Sequence, residues 1–204
     1  MNRVLLARRR RRRRLALATS GVLLVAACGH GVDQPSTAGP ALASLRAAAA
    51  LQRCPSGAGS GLPTVTLPCL GGGPAVPLAA AGTGRPMVVN VWATWCSPCV
   101  REVPAFVDLA GDSAGRLDVL GVLTEDDARN GLEFARQFGM HYPSVLDDDA
   151  TVMRRFSPGP PVTLFLDAQG QVRHVQRGEI KDARTLRALV RDHLGVQVPS
   201  RTSS

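Results

Sequence analysis

Residues 87–99 read Met-Val-Val-Asn-Val-Trp-Ala-Thr-Trp-Cys-Ser-Pro-Cys, and this stretch decides the fold. Its first six residues form a nearly continuous apolar run, which predicts a central strand covered on both faces. Two cysteines separated by two residues follow, at a point where a helix is expected to begin. The unsatisfied N–H groups of a helix N-terminus lower the pKa of a thiol, so this position favours reactive cysteines.

Further strand and helix patterns surround this stretch on both sides. The expected strands are 64–67, 75–78, 87–92, 117–123, 162–166 and 172–177, and the expected helices are 100–109, 126–138, 151–156 and 182–194. Residues 64–78 predict an N-terminal β-hairpin, and 167–170 predict a second hairpin turn. The alanine-rich residues 41–52 predict a short helix outside the core. Together these patterns predict an α/β fold.

The formal charge of +8 is concentrated at the start of the chain. Eight of the 24 Lys and Arg residues precede residue 28, and the rest of the chain has 16 basic and 16 acidic residues. A basic nucleic-acid-binding surface is therefore not expected on the domain.

An arginine-rich segment, a 13-residue apolar stretch and small residues precede Cys28, which is the layout of a signal peptide. The apolar stretch is shorter than the ~20 residues that a membrane-spanning helix needs. Residues 25–28, Val-Ala-Ala-Cys, resemble a bacterial lipobox, so we expect lipidation of Cys28 and anchoring to the cell membrane. Ordinary cleavage near Ala27, with Cys28 incidental, is the alternative.

The other four cysteines form two pairs. Cys96 is the expected nucleophile because it lies where the strand ends, and Cys99, one turn into the helix, is the expected resolving cysteine. Cys54 and Cys69 frame a Pro/Gly-rich stretch, and we expect a structural disulfide there that closes a loop of about 15 residues. A second redox pair that relays electrons to the first is the alternative.

Residues 91–104, Val-Trp-Ala-Thr-Trp-Cys-Ser-Pro-Cys-Val-Arg-Glu-Val-Pro, resemble the active-site segment of the thioredoxin superfamily and of its extracytoplasmic TlpA/ResA-like branch. The motif is specific, because Trp95 precedes the cysteines and Glu and Pro follow the second cysteine at +3 and +5. The resemblance covers about residues 62–195. It implies a thioredoxin-like fold with a central mixed sheet flanked by helices, plus the N-terminal hairpin extension.

The resemblance also implies roles for individual residues. Glu102 matches a glutamate that accepts the Cys99 proton, and on a helix it lies on the same side as Cys99. A partly buried carboxyl there has a raised pKa. Asn90 stands where thioredoxin has a buried aspartate, and it cannot move a proton. Pro161 matches the cis-proline that contacts substrate, although Pro160 before it has no N–H to offer a substrate backbone.

The expected organisation is a signal peptide at 1–27, a flexible tether and N-terminal extension at 28–61, a thioredoxin-like domain at 62–195 and a disordered tail at 196–204. The resemblance implies an enzyme that reduces disulfides of exported proteins such as apocytochrome c. A membrane electron donor or acceptor would be its redox partner, and no cofactor, metal or nucleic acid is expected.

Two other functions stay open on the sequence. The residues do not give the direction of electron flow, so a protein disulfide oxidase is one alternative. A copper-binding thioredoxin-like carrier is another, with His174 as its candidate histidine ligand. A peroxiredoxin is disfavoured because Ala93 stands where the threonine of that family's motif belongs.

Overall fold

The computed structural model describes residues 38–80 and 82–200, with side chains from residue 41 onward. The expected signal peptide, the expected lipidation site Cys28 and residues 201–204 lie outside the described residues. In the described part of the chain, no helix is both long enough and apolar enough to cross a membrane.

Five strands form one mixed sheet in the order β5-β4-β3-β6-β7, and two short strands form a separate antiparallel hairpin. The strands are β1 (Thr66–Leu67), β2 (Val76–Pro77), β3 (Met87–Trp92), β4 (Asp118–Thr124), β5 (Ser144–Asp147), β6 (Val162–Leu166) and β7 (Val172–Arg177). Strands β3, β4 and β5 are parallel, whereas β6 is antiparallel to β3 and to β7. The predicted mixed sheet and hairpin extension are confirmed.

In the described part of the chain, five helices cover the two faces of the sheet. They are α1 (Ala38–Ala49), α2 (Ser97–Asp112), α3 (Ala128–Phe138), α4 (Thr151–Phe156) and α5 (Ala183–Leu194). The crossovers from β3 to β4 and from β4 to β5 advance in the same direction, so right-handed connections place α2 and α3 on one face. Buried residues of α1 and α5 join the same apolar cluster, whereas α4 and the hairpin belong to the cluster on the other face.

Strand β3 is the centre of this arrangement, and all six of its residues are buried. Val88 and Trp92 pack into the cluster that contains α2, while Val89 and Val91 pack into the opposite cluster. The apolar run therefore forms a strand buried on both faces, as predicted.

Helix α2 is longer than the predicted 100–109 at both ends. Cys96 is its N-cap residue, in an extended conformation, and Pro98 lies in its first turn, where a missing N–H costs no hydrogen bond. The start of the helix at Ser97 places Cys96 at the N-cap and Cys99 in the first turn.

Strand β5 was not predicted from the sequence. It has four residues and includes a serine and an aspartate, so it lacks the apolar run that marks strands such as β3 and β6. Its outer edge is covered where Cys69 forms an antiparallel bridge with Val145. A disulfide joins Cys69 to Cys54, and it therefore ties the N-terminal extension to this edge. Covering an edge in this way removes a template for pairing with another chain.

Helix α1 corrects one prediction. The expectation that the 41–52 helix stays outside the core is wrong, because Ala49 is fully buried in the cluster on the α2 face. Leu42 and Leu45 pack against that cluster and, with Ala49, have the i, i+3, i+7 spacing of a narrow apolar stripe. The Gln52 N–H also donates to the His141 carbonyl at 2.8 Å. Residues 38–61 are thus packed on the domain rather than forming part of a flexible tether.

The C-terminal segment gives a second correction. A disordered tail was expected from residue 196, but Val198 is buried in the core cluster and Val196 packs against it. The two valines add apolar contacts beyond the end of α5, so the described part of this segment, 196–200, is attached to the domain.

We predict that replacing both Cys54 and Cys69 with alanine lowers the free energy of unfolding by about 3 kcal/mol, because the disulfide closes a loop of about 15 residues in the unfolded chain. Urea unfolding of the wild type and the double variant, both with Cys96–Cys99 oxidised, measures the difference. A loss under about 0.5 kcal/mol contradicts a structural role and favours the redox alternative.

Candidate redox site

Cys96 and Cys99 form a disulfide at the N-terminus of α2. The Cys99 N–H donates to the Cys96 sulfur at 3.2 Å, so the Cys96 side chain caps the helix. Cys96 is 4% exposed and Cys99 is completely buried. A negative charge that develops on the Cys96 sulfur during exchange would face the positive end of the helix dipole.

The loop before Cys96 is held by the loop between β4 and α3. The Thr94 N–H and hydroxyl both donate to the Asp126 carboxylate, at 2.8 and 2.6 Å. The Trp95 indole N–H donates to the Glu125 carbonyl at 3.0 Å, and its side chain is 56% exposed. A rigid loop therefore presents a large apolar surface directly beside the cysteine pair.

Glu102, one helical turn after Cys99 on α2, is a buried carboxyl that is 1% exposed. The Asn90 amide donates to one of its oxygens at 2.8 Å, and the Ile180 N–H donates to the other at 3.0 Å. Burial raises the pKa of the Glu102 carboxyl to about 7, although these two hydrogen bonds oppose the rise.

This arrangement suits a carboxyl that exchanges a proton near neutral pH. At pH 7 a group with this pKa is about half ionised, so it is available both as acceptor and as donor. Glu102 lies three residues after Cys99 on α2, on the same side of the helix. Its role as the acceptor of the Cys99 proton stays a prediction.

A cis peptide bond joins Pro160 to Pro161, immediately before β6. Because Val162 pairs with Val91, this bond lies at the end of β3 from which the chain leads to the cysteines. The Pro161 carbonyl accepts a hydrogen bond from the Gly178 N–H at 3.0 Å, which fixes the segment against the chain that follows β7. Substrate contact by Pro161 stays a prediction.

Several residues around the site were not recognised from the sequence. Asn90 was considered only as a group unable to move a proton, but it holds Glu102 in place. Asp127 caps α3, and Asp126, beside it, holds the Thr94 N–H. A polar residue in a buried strand indicates a buried partner, so Asn90 carried a usable signal. Ile180 carried no such signal in the sequence, since it contributes to the site only through its backbone N–H.

The structure gives His174 a partner away from the cysteines. Its ring stacks on His193 at 3.8 Å, and it pairs in the sheet with Phe165, four residues beyond Pro161. Among residues 38–80 and 82–200, no three His, Cys, Asp or Glu side chains cluster so that they could hold a metal ion.

The Redoxin family profile matches residues 57–190, which include the cysteine pair, Glu102 and Pro161. The chain belongs to the Redoxin family. This match extends over most of the described domain, and it begins before the hairpin.

Curated relatives of this Redoxin chain are named for disulfide chemistry. It is 32% identical to the thiol-disulfide oxidoreductase ResA of Geobacillus thermodenitrificans over 97 residues, 47% of this chain and 56% of that protein. It is 31% identical to the thiol:disulfide interchange protein DsbE of Yersinia pestis over 101 residues, 48% of this chain and 52% of that protein. The chain thus spans about half the length of these relatives. The resemblance to the TlpA/ResA-like branch is confirmed.

Solved structures agree with the fold of the Redoxin domain. The structure of MTB dsbF in its mixed oxidised and reduced forms has a TM-score of 0.55 and 25% identity, covering 64% of this chain and 97% of that one. A DsbF homologue from Corynebacterium diphtheriae has a TM-score of 0.55 and 24% identity, with 64% and 85% covered, and supports the fold alone. The predicted thioredoxin-like fold is confirmed.

The raised pKa of Glu102 predicts how stability depends on pH. Between pH 4.5, its ordinary value, and about 7, the folded chain keeps a proton that the unfolded chain loses. The free energy of unfolding of the oxidised protein therefore falls as pH rises through this window, by about 3 kcal/mol from this group, and then levels off.

The Glu102→Gln variant lacks this fall, because glutamine does not titrate and still offers an oxygen to one of the two donors. Urea unfolding of both proteins at pH 4.5 and pH 8 gives the comparison, and other titrating groups cancel in the difference. Equal pH dependence of the two proteins contradicts a buried, neutral-pH carboxyl.

Proposed function

We propose that this protein is a thiol-disulfide oxidoreductase that reduces disulfides of exported proteins through Cys96 and Cys99. One observation supports this proposal most strongly: a disulfide at a helix N-terminus is backed by a buried carboxyl whose pKa is about 7. A disulfide that only stabilised the fold would not need a titratable group beside it.

In the first step of the proposed reaction, the Cys96 thiolate attacks one sulfur of a substrate disulfide. A mixed disulfide forms between Cys96 and the substrate, and the other substrate sulfur leaves as a thiolate that takes up a proton. The dipole of α2 stabilises the Cys96 thiolate before the attack. The exposed Trp95 provides a surface on which the substrate chain would lie. Pro161, whose carbonyl accepts a hydrogen bond from the Gly178 N–H, is the proposed cis-proline contact.

In the second step Cys99 gives its proton to ionised Glu102, and its sulfur attacks the Cys96 sulfur. The second substrate sulfur leaves as a thiolate, and the Cys96–Cys99 disulfide forms. Two electrons have then passed from the pair to the substrate. An external dithiol reductant returns the pair to its reduced form, and Glu102 returns the proton to Cys99.

We further propose that the domain works outside the cytoplasm, attached to the bacterial cell membrane through lipid on Cys28. The lipobox-like residues 25–28 support attachment, and the Cys54–Cys69 disulfide suits an oxidising compartment. The names of the ResA and DsbE relatives support protein disulfides as substrates. Apocytochrome c is the substrate that the TlpA/ResA-like resemblance suggests, and a membrane electron donor is the suggested partner.

The reduction potential of the Cys96–Cys99 pair tests the direction of the reaction. We expect a value near the ~ −270 mV of thioredoxin, as a reductase requires. Equilibration in dithiol buffers, followed by mass mapping of each disulfide, measures this pair separately from Cys54–Cys69. A value near ~ −120 mV, that of the strong oxidant DsbA, contradicts a reductase and supports an oxidase.

Lipidation is tested with the Cys28→Ala variant. We expect radiolabelled palmitate to enter the wild-type protein and the variant to stay unlabelled, because the acyl chains require the Cys28 position. The Cys54→Ala variant serves as the control and keeps the label. Equal labelling of wild type and Cys28→Ala, or no label in either, contradicts the anchor.

A further inference from the structure

The segment between β7 and α5, residues 178–182, covers the buried carboxyl of Glu102. It has no regular secondary structure, and two backbone hydrogen bonds attach it to the redox site. The Gly178 N–H donates to the Pro161 carbonyl, and the Ile180 N–H donates to Glu102, each at 3.0 Å. The Ile180 side chain is 2% exposed and belongs to the same core cluster as Cys99. This segment therefore both donates to Glu102 and excludes water from it.

An ion pair holds this segment from the outside. The Arg101 Nε lies 3.1 Å from both carboxylate oxygens of Glu179. The Arg101 Nη2 lies 2.5 Å from one of them, Oε2. The Arg101 side chain is 59% exposed and that of Glu179 is 24% exposed. Hydrogen bonding to Arg101 lowers the pKa of Glu179, so the pair is charged at neutral pH.

The position of this ion pair beside Glu102 is more informative than its contribution to the free energy of unfolding. Exposed ion pairs contribute little to global stability, because water screens them. This one, however, joins the residue directly before Glu102 on α2 to the residue directly before Ile180. It therefore joins α2, which carries Glu102, to the segment whose Ile180 N–H donates to the Glu102 carboxyl.

We propose that the Arg101–Glu179 ion pair is a clasp that keeps residues 178–182 over the Glu102 carboxyl, so that both residues are positioning residues for proton transfer at Cys99. This inference rests on the proposed function. It extends that function by assigning the control of the buried proton to two residues on the surface.

Opening the clasp has a defined electrostatic consequence. Water admitted beside Glu102 stabilises its ionised form, which lowers its pKa. The Glu179 carboxylate itself raises the pKa of Glu102, so removing Glu179 acts in the same direction. Removing Arg101 also admits water, which lowers the pKa of Glu102, but it leaves the Glu179 carboxylate unpaired, and that charge raises the same pKa. The two effects on the Glu102 pKa then oppose each other. Two further titratable groups interact with this pair of carboxyls: Lys181, on the segment, lowers the pKa of Glu179, and Glu102 contributes to the raised pKa of Tyr142.

Glu179→Ala is therefore the informative variant, and Glu179→Asp restores the carboxylate as a rescue. Glu133→Ala is the matched control, because it removes the carboxylate of another exposed ion pair, with Arg129 on α3. All are made in the full chain with both disulfides oxidised. The first readout is the hydrogen-exchange rate of the Ile180 amide, measured by NMR.

We expect Glu179→Ala to accelerate exchange of the Ile180 amide about threefold to fivefold, the range that an exposed ion pair can supply. Glu179→Asp should recover most of the protection, and Glu133→Ala should match the wild type. If the Ile180 amide of Glu179→Ala exchanges at the wild-type rate, the clasp proposal is overturned. Faster exchange in all variants alike also overturns it, since the effect is then not specific to this pair.

The second readout is the pH profile of substrate-disulfide reduction by each variant, measured after the Cys96–Cys99 pair has been reduced. We expect its midpoint near neutral pH to fall by about half a pH unit in Glu179→Ala. A lower midpoint with unchanged Ile180 exchange means that Glu179 acts by charge alone, which overturns the clasp. If the wild type reduces no disulfide, the proposed function fails, and amide exchange still tests the clasp. If Glu102→Gln removes the midpoint but Glu179→Ala changes neither readout, the clasp fails and the function stands.

Discussion

The site depends on one constraint, which is that the Glu102 carboxyl is held in the core by two hydrogen bonds. Burying a carboxyl without partners is costly, so its environment must supply donors and exclude water. Asn90 supplies one donor from β3, and the Ile180 N–H supplies the other from the segment after β7. These two groups come from parts of the chain 90 residues apart, and α2 lies between them in sequence. The tertiary fold, rather than any local motif, therefore sets the protonation of Glu102.

The same constraint links stability to the proposed chemistry. A pKa of about 7 means that part of the folding free energy is lost whenever Glu102 ionises, yet ionised Glu102 is the form that can accept the Cys99 proton. The core must therefore be stable enough to tolerate this charge. The doubly covered strand β3 and the Cys54–Cys69 disulfide at the edge of β5 both contribute to that stability.

The sequence predicted the elements whose signal is local. The strands predicted at 87–92, 162–166 and 172–177 have the bounds that were predicted, and the cysteine spacing identified the candidate redox pair. Strand β5 was missed because its four residues include Ser144 and Asp147, which are buried only because neighbouring segments cover them. The core position of Ala49 was missed because its apolar stripe is narrow. The Ile180 donor could not be predicted, since any residue supplies a backbone N–H and only the fold brings it to Glu102.

In the proposed mechanism Glu102 exchanges a proton with the cysteine pair, and the carboxyl carbon of Glu102 reports this directly. In protein labelled with carbon-13 at glutamate, titration followed by NMR should show a Glu102 midpoint near 7 in the oxidised state. Reduction of Cys96–Cys99 should displace that curve, because the Cys99 thiol and the carboxyl then titrate as a coupled pair. A midpoint near 4.5, or the same curve in both redox states, would contradict the account.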